Sequence, residues 1–187
     1  MIKIGITGSL ASGKSTVAKI ISSGKYPLYN ADKAVKKIYQ TNIFQAKVLK
    51  KFKLKNKKNI KNKIKKIISS DKKSLKVLEK IIHPIVREQI RKFTNKNNGK
   101  KFIIFEIPLL VESKQMKYYD RIIFVNSRKD LRLKRYLKRG NNKRFFDLLN
   151  KRQLSPAKKI KFCDYVINNN GSIKLLKKNI KNIMLKL

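Results

Sequence analysis

The stretch Gly8-Ser9-Leu10-Ala11-Ser12-Gly13-Lys14-Ser15 satisfies the pattern G-x-x-x-x-G-K-[ST] at every fixed position. What flanks it is what the pattern requires. Lys3-Ile4-Gly5-Ile6-Thr7 is a short apolar run that reads as a buried strand, and Lys14 to Ser22 places Val17, Ala18, Ile20 and Ile21 on a helical stripe. Glycines let such a loop curl so that successive N–H groups face phosphate oxygens, and the helix N-terminus adds its positive dipole. Lys14 is expected to reach the β- and γ-phosphates and Ser15 to ligate Mg²⁺ through its hydroxyl. The motif arises by chance in well under ~1% of chains of this length, so nucleoside triphosphate binding is expected.

Outward from this loop, strands and helices alternate. Tyr26-Pro27-Leu28-Tyr29 is a second strand candidate, ending at Asn30-Ala31-Asp32. From Ile43 to about Phe93 nothing resembles a strand. Helical stripes run through Phe44, Val48, Leu49 and Phe52, through Ile60, Ile64, Ile67 and Ile68, and through Leu75, Leu78, Ile81 and Ile82. Pro84 is expected to open a further helix carrying Ile85, Val86, Ile90 and Phe93, and Asn95 to Gly99 to close the stretch as a loop. Phe102-Ile103-Ile104-Phe105 and Ile122-Ile123-Phe124-Val125 are continuous apolar runs of the kind buried in parallel sheets. An arginine-rich helical region spans 128–153, Tyr165-Val166-Ile167 is a last strand, and a helix from Ile173 to Leu187 closes the chain. The alternation predicts an α/β, three-layer domain with a mostly parallel five-stranded sheet.

The 187 residues suit a single domain with an inserted subdomain, and 41% apolar residues are enough for a core. Cys163 is the sole cysteine, which fits a reducing compartment. No run approaches a membrane span and the first residues lack a signal-peptide pattern, so a cytoplasmic protein is expected. The net charge of +40 invites a nucleic-acid partner, but 41 of the 50 basic residues are Lys and only 9 are Arg, the residue that recognises phosphates and bases in bidentate fashion. Lys, Ile and Asn recur together, as in Lys57-Lys58-Asn59-Ile60-Lys61-Asn62, and share A/T-rich codons. Two readings of the charge therefore stand, base composition or anion binding by the surface, and no specific nucleic-acid partner is expected.

A phosphate loop does not by itself name the acceptor. Asp32 lies 18 residues beyond Lys14, at the end of the second strand candidate. On spacing alone it is either a general base for an acceptor hydroxyl or the N-cap of the helix that follows.

Several further segments carry a resemblance. Gly5-Ile6-Thr7-Gly8 leads into Ser12-Gly13-Lys14-Ser15-Thr16-Val17-Ala18, followed by Ala31-Asp32 and Ile82-His83-Pro84. Later come Ile107-Pro108-Leu109-Leu110-Val111-Glu112, Tyr119-Asp120, and Val166-Ile167 with Asn169-Asn170-Gly171. Together they resemble the dephospho-CoA kinase family over nearly the whole chain. The resemblance implies a P-loop kinase fold with a helical substrate-binding insert (about 43–99), a small helical lid (about 128–155) and a core made of 1–42, 100–127 and 156–187. The implied reaction moves the ATP γ-phosphoryl group to the ribose 3′-hydroxyl of dephospho-CoA, with ATP and Mg²⁺ required and no partner beyond the small-molecule substrate. A monomer is expected.

Carried over by position, the resemblance makes Asp32 the base, with Lys14 and Arg139 also catalytic. Gly8, Ala11, Ser12, Gly13, Lys14, Ser15 and Thr16 would hold the nucleotide phosphates. Arg135, Arg139 and Arg144 would be lid arginines, and Asn169 and Gly171 would form the turn near the adenine. His83, Arg87, Pro108, Leu109 and Glu112 fall on the substrate side, and Glu106 would support the Mg²⁺ of Ser15 through water. Plainer readings stand beside these: a packing role for His83, a solvated loop carboxylate for Glu112, and solvated surface positions for the arginines. The chain also departs from the family pattern. Asn30 stands where the first Asp of Asp-Ala-Asp is expected, Glu106 replaces an Asp, Ala11 replaces a Gly, and the lid is about one residue short before Gln153. Two rivals are a nucleoside-monophosphate-type P-loop kinase and an RNA- or polyanion-binding protein.

Overall fold

The computed structural model describes residues 1–187, except for the side chains of Ser69, Ser70 and Lys72. Contacts divide the chain into two compact units, Met1–Asn30 with Asn97–Leu187, and Ala31–Lys96.

The first unit is built on β1 (Ile2–Gly8), β2 (Leu28–Asn30), β3 (Phe102–Glu106), β4 (Arg121–Asn126) and β5 (Tyr165–Asn168). They form one sheet in the order β2-β3-β1-β4-β5, and every pairing is parallel. The apolar runs become strands because both faces of the sheet are covered. On one face Ile4, Ile6, Ile104, Ile123 and Val125 pack with Val17 and Ile21 of α1 (Lys14–Ser22) and Leu176 and Ile180 of α9 (Ile173–Met184). On the other, Phe105 meets the rings of Tyr29 and Tyr119 at 6.0 and 5.4 Å. Each fully buried Ile or Phe contributes ~1.5–3 kcal/mol, so these inward rows supply most of the drive to fold. Register aligns Ile6 with Glu106 and with Ile123, which brings the C-terminal ends of β1, β3 and β4 to one rim. In parallel α/β sheets ligands bind at that rim.

Two strand-edge expectations shift slightly. The second strand begins at Leu28 rather than Tyr26, since Pro27 has no N–H to offer and contributes its carbonyl to Ile104 N instead (2.9 Å). The closing helix stops at Met184, short of Leu187. The rest of this unit is α6 (Lys129–Leu137), α7 (Lys143–Lys151) and the short α8 (Pro156–Ile160).

The second unit is helical: α2 (Ala31–Ile38), α3 (Asn42–Lys51), α4 (Ile60–Ser70) and α5 (Lys72–Lys96). Its core gathers the predicted stripes, with Ile38, Phe44, Val48, Ile60, Ile64 and Leu78 buried together. Thr41 caps α3 by accepting from Phe44 N (3.3 Å). Asp71 accepts from the Ser74 hydroxyl at 2.7 Å and from the amides of Lys73 and Ser74 at 2.8 Å each, and these bonds hold its carboxyl below the usual range. Pro84 does not open a helix. It lies inside α5, which runs unbroken through it. A proline in a helix interior costs ~3 kcal/mol, and here Ile81, Ile82, Ile85 and Val86 on both sides of it pack on the unit's core and offset that cost. Among the described residues no helix is long and apolar enough to cross a membrane.

Candidate active site

The phosphate loop leaves β1 at Gly8 and enters α1 at Lys14. Two glycines are sterically required. A Cβ at Gly8 would sit 2.5 Å from Val125 O, and one at Gly13 (φ 96°) would run into the Asn169 amide. Ala11 also holds a left-handed φ of 58°, a conformation that costs a non-glycine residue roughly 1–2 kcal/mol. Its methyl packs with Tyr136 and Phe146, which offsets the strain and explains a tolerated alanine in a glycine-rich turn. Gly13 caps α1 with no side-chain bond and the first turn carries no acid, so the helix end presents its amides to an anion. Lys14 is buried and folds across the loop, donating to Gly8 O (3.2 Å) and Ser9 O (2.9 Å).

Glu106 ends β3 beside this loop and is 4% exposed. It accepts from Ser15 Oγ (2.5 Å) and, through its second oxygen, from Asn30 Nδ2. The structure therefore brings Ser15 and Glu106, the two residues expected near Mg²⁺, into direct hydrogen-bond contact. Asn30 is more than a lost carboxylate: a second anion at this register position would repel Glu106, whereas the amide donates to it. A hydroxyl and a carboxylate are hard oxygen donors suited to Mg²⁺, an ion held by one or two protein groups plus substrate phosphates. Among the described residues no group of three His, Cys, Asp or Glu could hold a metal ion.

The arginine-rich segment splits in two. Arg135 on α6 donates to Ser127 Oγ (3.0 Å), Asn169 O (2.9 Å) and, at 3.5 Å, Ser12 O. Asn169 in turn donates to Ser12 O (2.8 Å), so the expected adenine-side turn grips the phosphate loop. Gly171, two residues on, is exposed. Arg139, between α6 and α7, and Arg144, on α7, are exposed. The sequence reading missed Arg132, which is 4% exposed. It donates to Ser127 O, Leu10 O and Asn150 Oδ1, stacks 5.7 Å from the Phe146 ring, and has its pKa lowered by burial. Its place three residues before Arg135 on one helix was the available signal. Gln153 was missed as a contact too: its Oε1 accepts from Leu10 N (3.0 Å).

After β3, Ile107 N donates to Ile6 O and Thr7 Oγ1 to Pro108 O (3.1 Å), while Leu109 stands exposed. Glu112 is neither solvated nor alone. Its Oε1 pairs with Lys159 Nζ of α8 at 2.5 Å and accepts from Leu154 N at 3.1 Å. Lys159 is 0% exposed, and nothing in a sequence with 41 lysines singled it out. Cys163 is half-buried, and burial with the neighbouring Asp164 pushes its thiol up to about 11. It is therefore protonated at neutral pH and a poor nucleophile.

In the helical unit Asp32 is the second residue of α2 and exposed. It lies inside the first turn rather than at the capping position, where its charge still favours the helix dipole. His83 and Arg87 fall four residues apart on one face of α5, the histidine half-buried and mid-helix rather than at a helix start.

A family model described as Dephospho-CoA kinase matches residues 2–174. The dephospho-CoA kinase of Fusobacterium nucleatum is 37% identical over 183 residues, covering 95% of this chain and 94% of that protein. That of Bartonella henselae is 36% identical over 170 residues, covering 88% and 87%. The solved dephospho-CoA kinase from Campylobacter jejuni aligns with a TM-score of 0.65 at 26% identity, covering 98% of this chain and 96% of that one. Likeness of this extent, running from β1 into α9 and through both units, shows that the chain belongs to the dephospho-CoA kinase family.

Proposed function

We propose that the chain transfers the γ-phosphoryl group of ATP to the ribose 3′-hydroxyl of dephospho-CoA, giving coenzyme A and ADP. The observation that carries the reading is the Ser15–Glu106 pair, 2.5 Å apart at the mouth of a phosphate loop, in a chain of this family. As the acceptor oxygen bonds to the γ-phosphorus, the bond from that phosphorus to the β–γ bridging oxygen breaks and ADP leaves. The proton of the 3′-hydroxyl passes to the Asp32 carboxylate, a contribution of roughly 10²–10⁴ in rate. Lys14 exchanges the carbonyls of Gly8 and Ser9 for the β- and γ-phosphates, with the loop from Gly8 to Thr16 cradling them. Ser15 and Glu106, the latter through water, would hold Mg²⁺, which when bound neutralises charge on the β- and γ-phosphates.

Arg139 meets the charge that develops on the transferred group, with Arg135 and Arg144 on the nucleotide side, and Asn169 and Gly171 bound the adenine. His83 and Arg87 orient the acceptor, as do Pro108, Leu109 and Glu112. The core comprises 1–42, 100–127 and 156–187, the acceptor-binding insert about 43–99 and the lid about 128–155. The protein works as a cytoplasmic monomer.

The test is ADP release with dephospho-CoA, AMP, CMP and shikimate as acceptors, for the wild type and Asp32→Asn. Turnover confined to dephospho-CoA, and a loss of about 10²–10⁴ in kcat in the variant, is the expected result. Preference for another acceptor rejects the substrate assignment, and full kcat in Asp32→Asn rejects the base.

A further inference from the structure

Burying an ammonium group is costly unless a partner offsets the loss of water. Lys159 of α8 is 0% exposed, and its Nζ lies 2.5 Å from Glu112 Oε1. The pair is poorly suited to stabilising the fold. Beyond that contact Lys159 Nζ has no hydrogen-bond partner among the described residues, and Glu112 Oε2 is likewise buried and unmatched. A buried ion pair with unsatisfied atoms contributes little over an apolar pair of similar size. What it does supply is a fixed point.

Three segments of the first unit meet at that point. The chain at α8 is tied to the sheet, since Cys163 Sγ donates to Lys159 O (3.2 Å) and Asp164 exchanges two bonds with Ile122 of β4 (2.9 and 2.7 Å). Glu112 lies in the loop after β3, whose start is held by Thr7 Oγ1 donating to Pro108 O (3.1 Å). Glu112 Oε1 also accepts from Leu154 N (3.1 Å), at the joint between α7 and α8. The neighbouring Gln153 accepts from Leu10 N of the phosphate loop (3.0 Å). One carboxylate oxygen thus spaces the loop after β3 against the foot of α7, and the foot of α7 is bonded to the phosphate loop.

We infer that Lys159 is a positioning residue for phosphoryl transfer: by holding Glu112, it keeps the acceptor-side loop and the foot of the lid in register with the phosphate loop. The inference rests on the dephospho-CoA reading above. In it, Glu112 orients the acceptor by fixing its own loop, and Lys159 touches neither substrate. Loss of the pair therefore falls on transfer to the acceptor. ATP binding is spared, because the Gln153–Leu10 bond is left in place.

The experiment measures Tm, ATP affinity and steady-state rates with dephospho-CoA. The proteins are the wild type, Lys159→Met, and the double variants Lys159→Met/Glu112→Leu and Lys159→Met/Glu112→Gln. Lys159→Met alone is expected to lower both Tm and kcat/KM, because it leaves a buried carboxylate unpaired. The Met/Leu pair removes both charges and leaves the amide of the exposed Leu154 to water, so Tm should return to the wild-type value. Its kcat/KM for dephospho-CoA should stay ~10–100-fold down with ATP affinity unchanged, the usual cost of a small misplacement outside the reacting groups. The Met/Gln pair keeps an oxygen for Leu154 N and should recover part of that loss. A Met/Leu pair with wild-type Tm and wild-type kcat/KM would make the ion pair structural only and overturns the inference. So does a fall in ATP affinity as large as the loss toward the acceptor, or failure of both double variants to fold. A wild type that turns over a different acceptor instead rejects the dephospho-CoA reading alone, and the same split measured with that acceptor then decides the role of Lys159.

Discussion

Four arginines within thirteen residues behave as two pairs. Arg132 and Arg135 turn inward from α6 and spend their donors on carbonyls of Leu10, Ser12, Ser127 and Asn169. Arg139 and Arg144, a few residues on, stand in solvent. All four carry the same charge, and residue type alone groups them together. What separates them is commitment. A guanidinium bonded to main-chain oxygens of the phosphate loop sets the loop's shape, and moving it to a phosphate would orphan those carbonyls. An exposed guanidinium has no such bonds to break and can follow a developing charge. The inner pair is therefore committed to the phosphate loop, from where Arg135 bounds the nucleotide side in the reading proposed above. That reading leaves the outer pair to move with the reacting charge.

Among the four arginines, the largest expected effect tests that division on the outer pair. Arg139→Ala should lower kcat by about 10²–10³, the usual loss when one donor to transition-state charge is removed. Its melting temperature should match the wild type, because the side chain is exposed. A fall in stability with kcat intact would place Arg139 with the structural pair and erase the contrast.

Arg132→Met reverses the signature. The substitution leaves Leu10 O, Ser127 O and Asn150 Oδ1 without their donor and removes the cation stacked on Phe146. Relief of the buried charge offsets part of this, and a net loss of about 2 kcal/mol is expected, since each buried acceptor left unpaired costs ~1–3 kcal/mol. For a chain of this size that lowers Tm by roughly 4–8 °C in a calorimetric scan. An unchanged Tm would show that Arg132 contributes nothing to the loop's shape.

The contrast also marks where the sequence was legible. The phosphate loop could be read because glycine, lysine and serine at rigid spacing admit few other geometries, and the Gly8 and Gly13 clashes show why. The strands could be read because both sheet faces demand unbroken apolar runs. Burial within a cationic surface could not be read. Lys159 is fully buried and indistinguishable by type from forty other lysines. Arg132 looked like any helix-surface arginine until Phe146 and Asn150 were placed around it. Asn30 looked like a lost acid, and only the parallel register of β2 with β3 shows its amide meeting Glu106. Pro84 misled for the opposite reason: a strong local signal was overruled by the packing of the residues on either side.

Arg144 gives the smallest expected effect and the finest test of the comparison. It sits near the start of α7, exposed, next to solvent-facing Phe145 and one turn before exposed Leu148. Any bond it makes to ATP is formed in water, where an ion pair is worth only ~0.2–1 kcal/mol. Arg144→Ala should therefore raise KM for ATP by no more than about fivefold, with kcat and Tm unchanged. Added salt should shrink the gap between variant and wild type, because exposed pairs are screened within a Debye length of about 8–10 Å. A loss in kcat as large as that of Arg139→Ala would mean that Arg144 leaves solvent during the reaction. The two exposed arginines would then differ from the inner pair for the same reason, and lid closure would have to bring both to the phosphates.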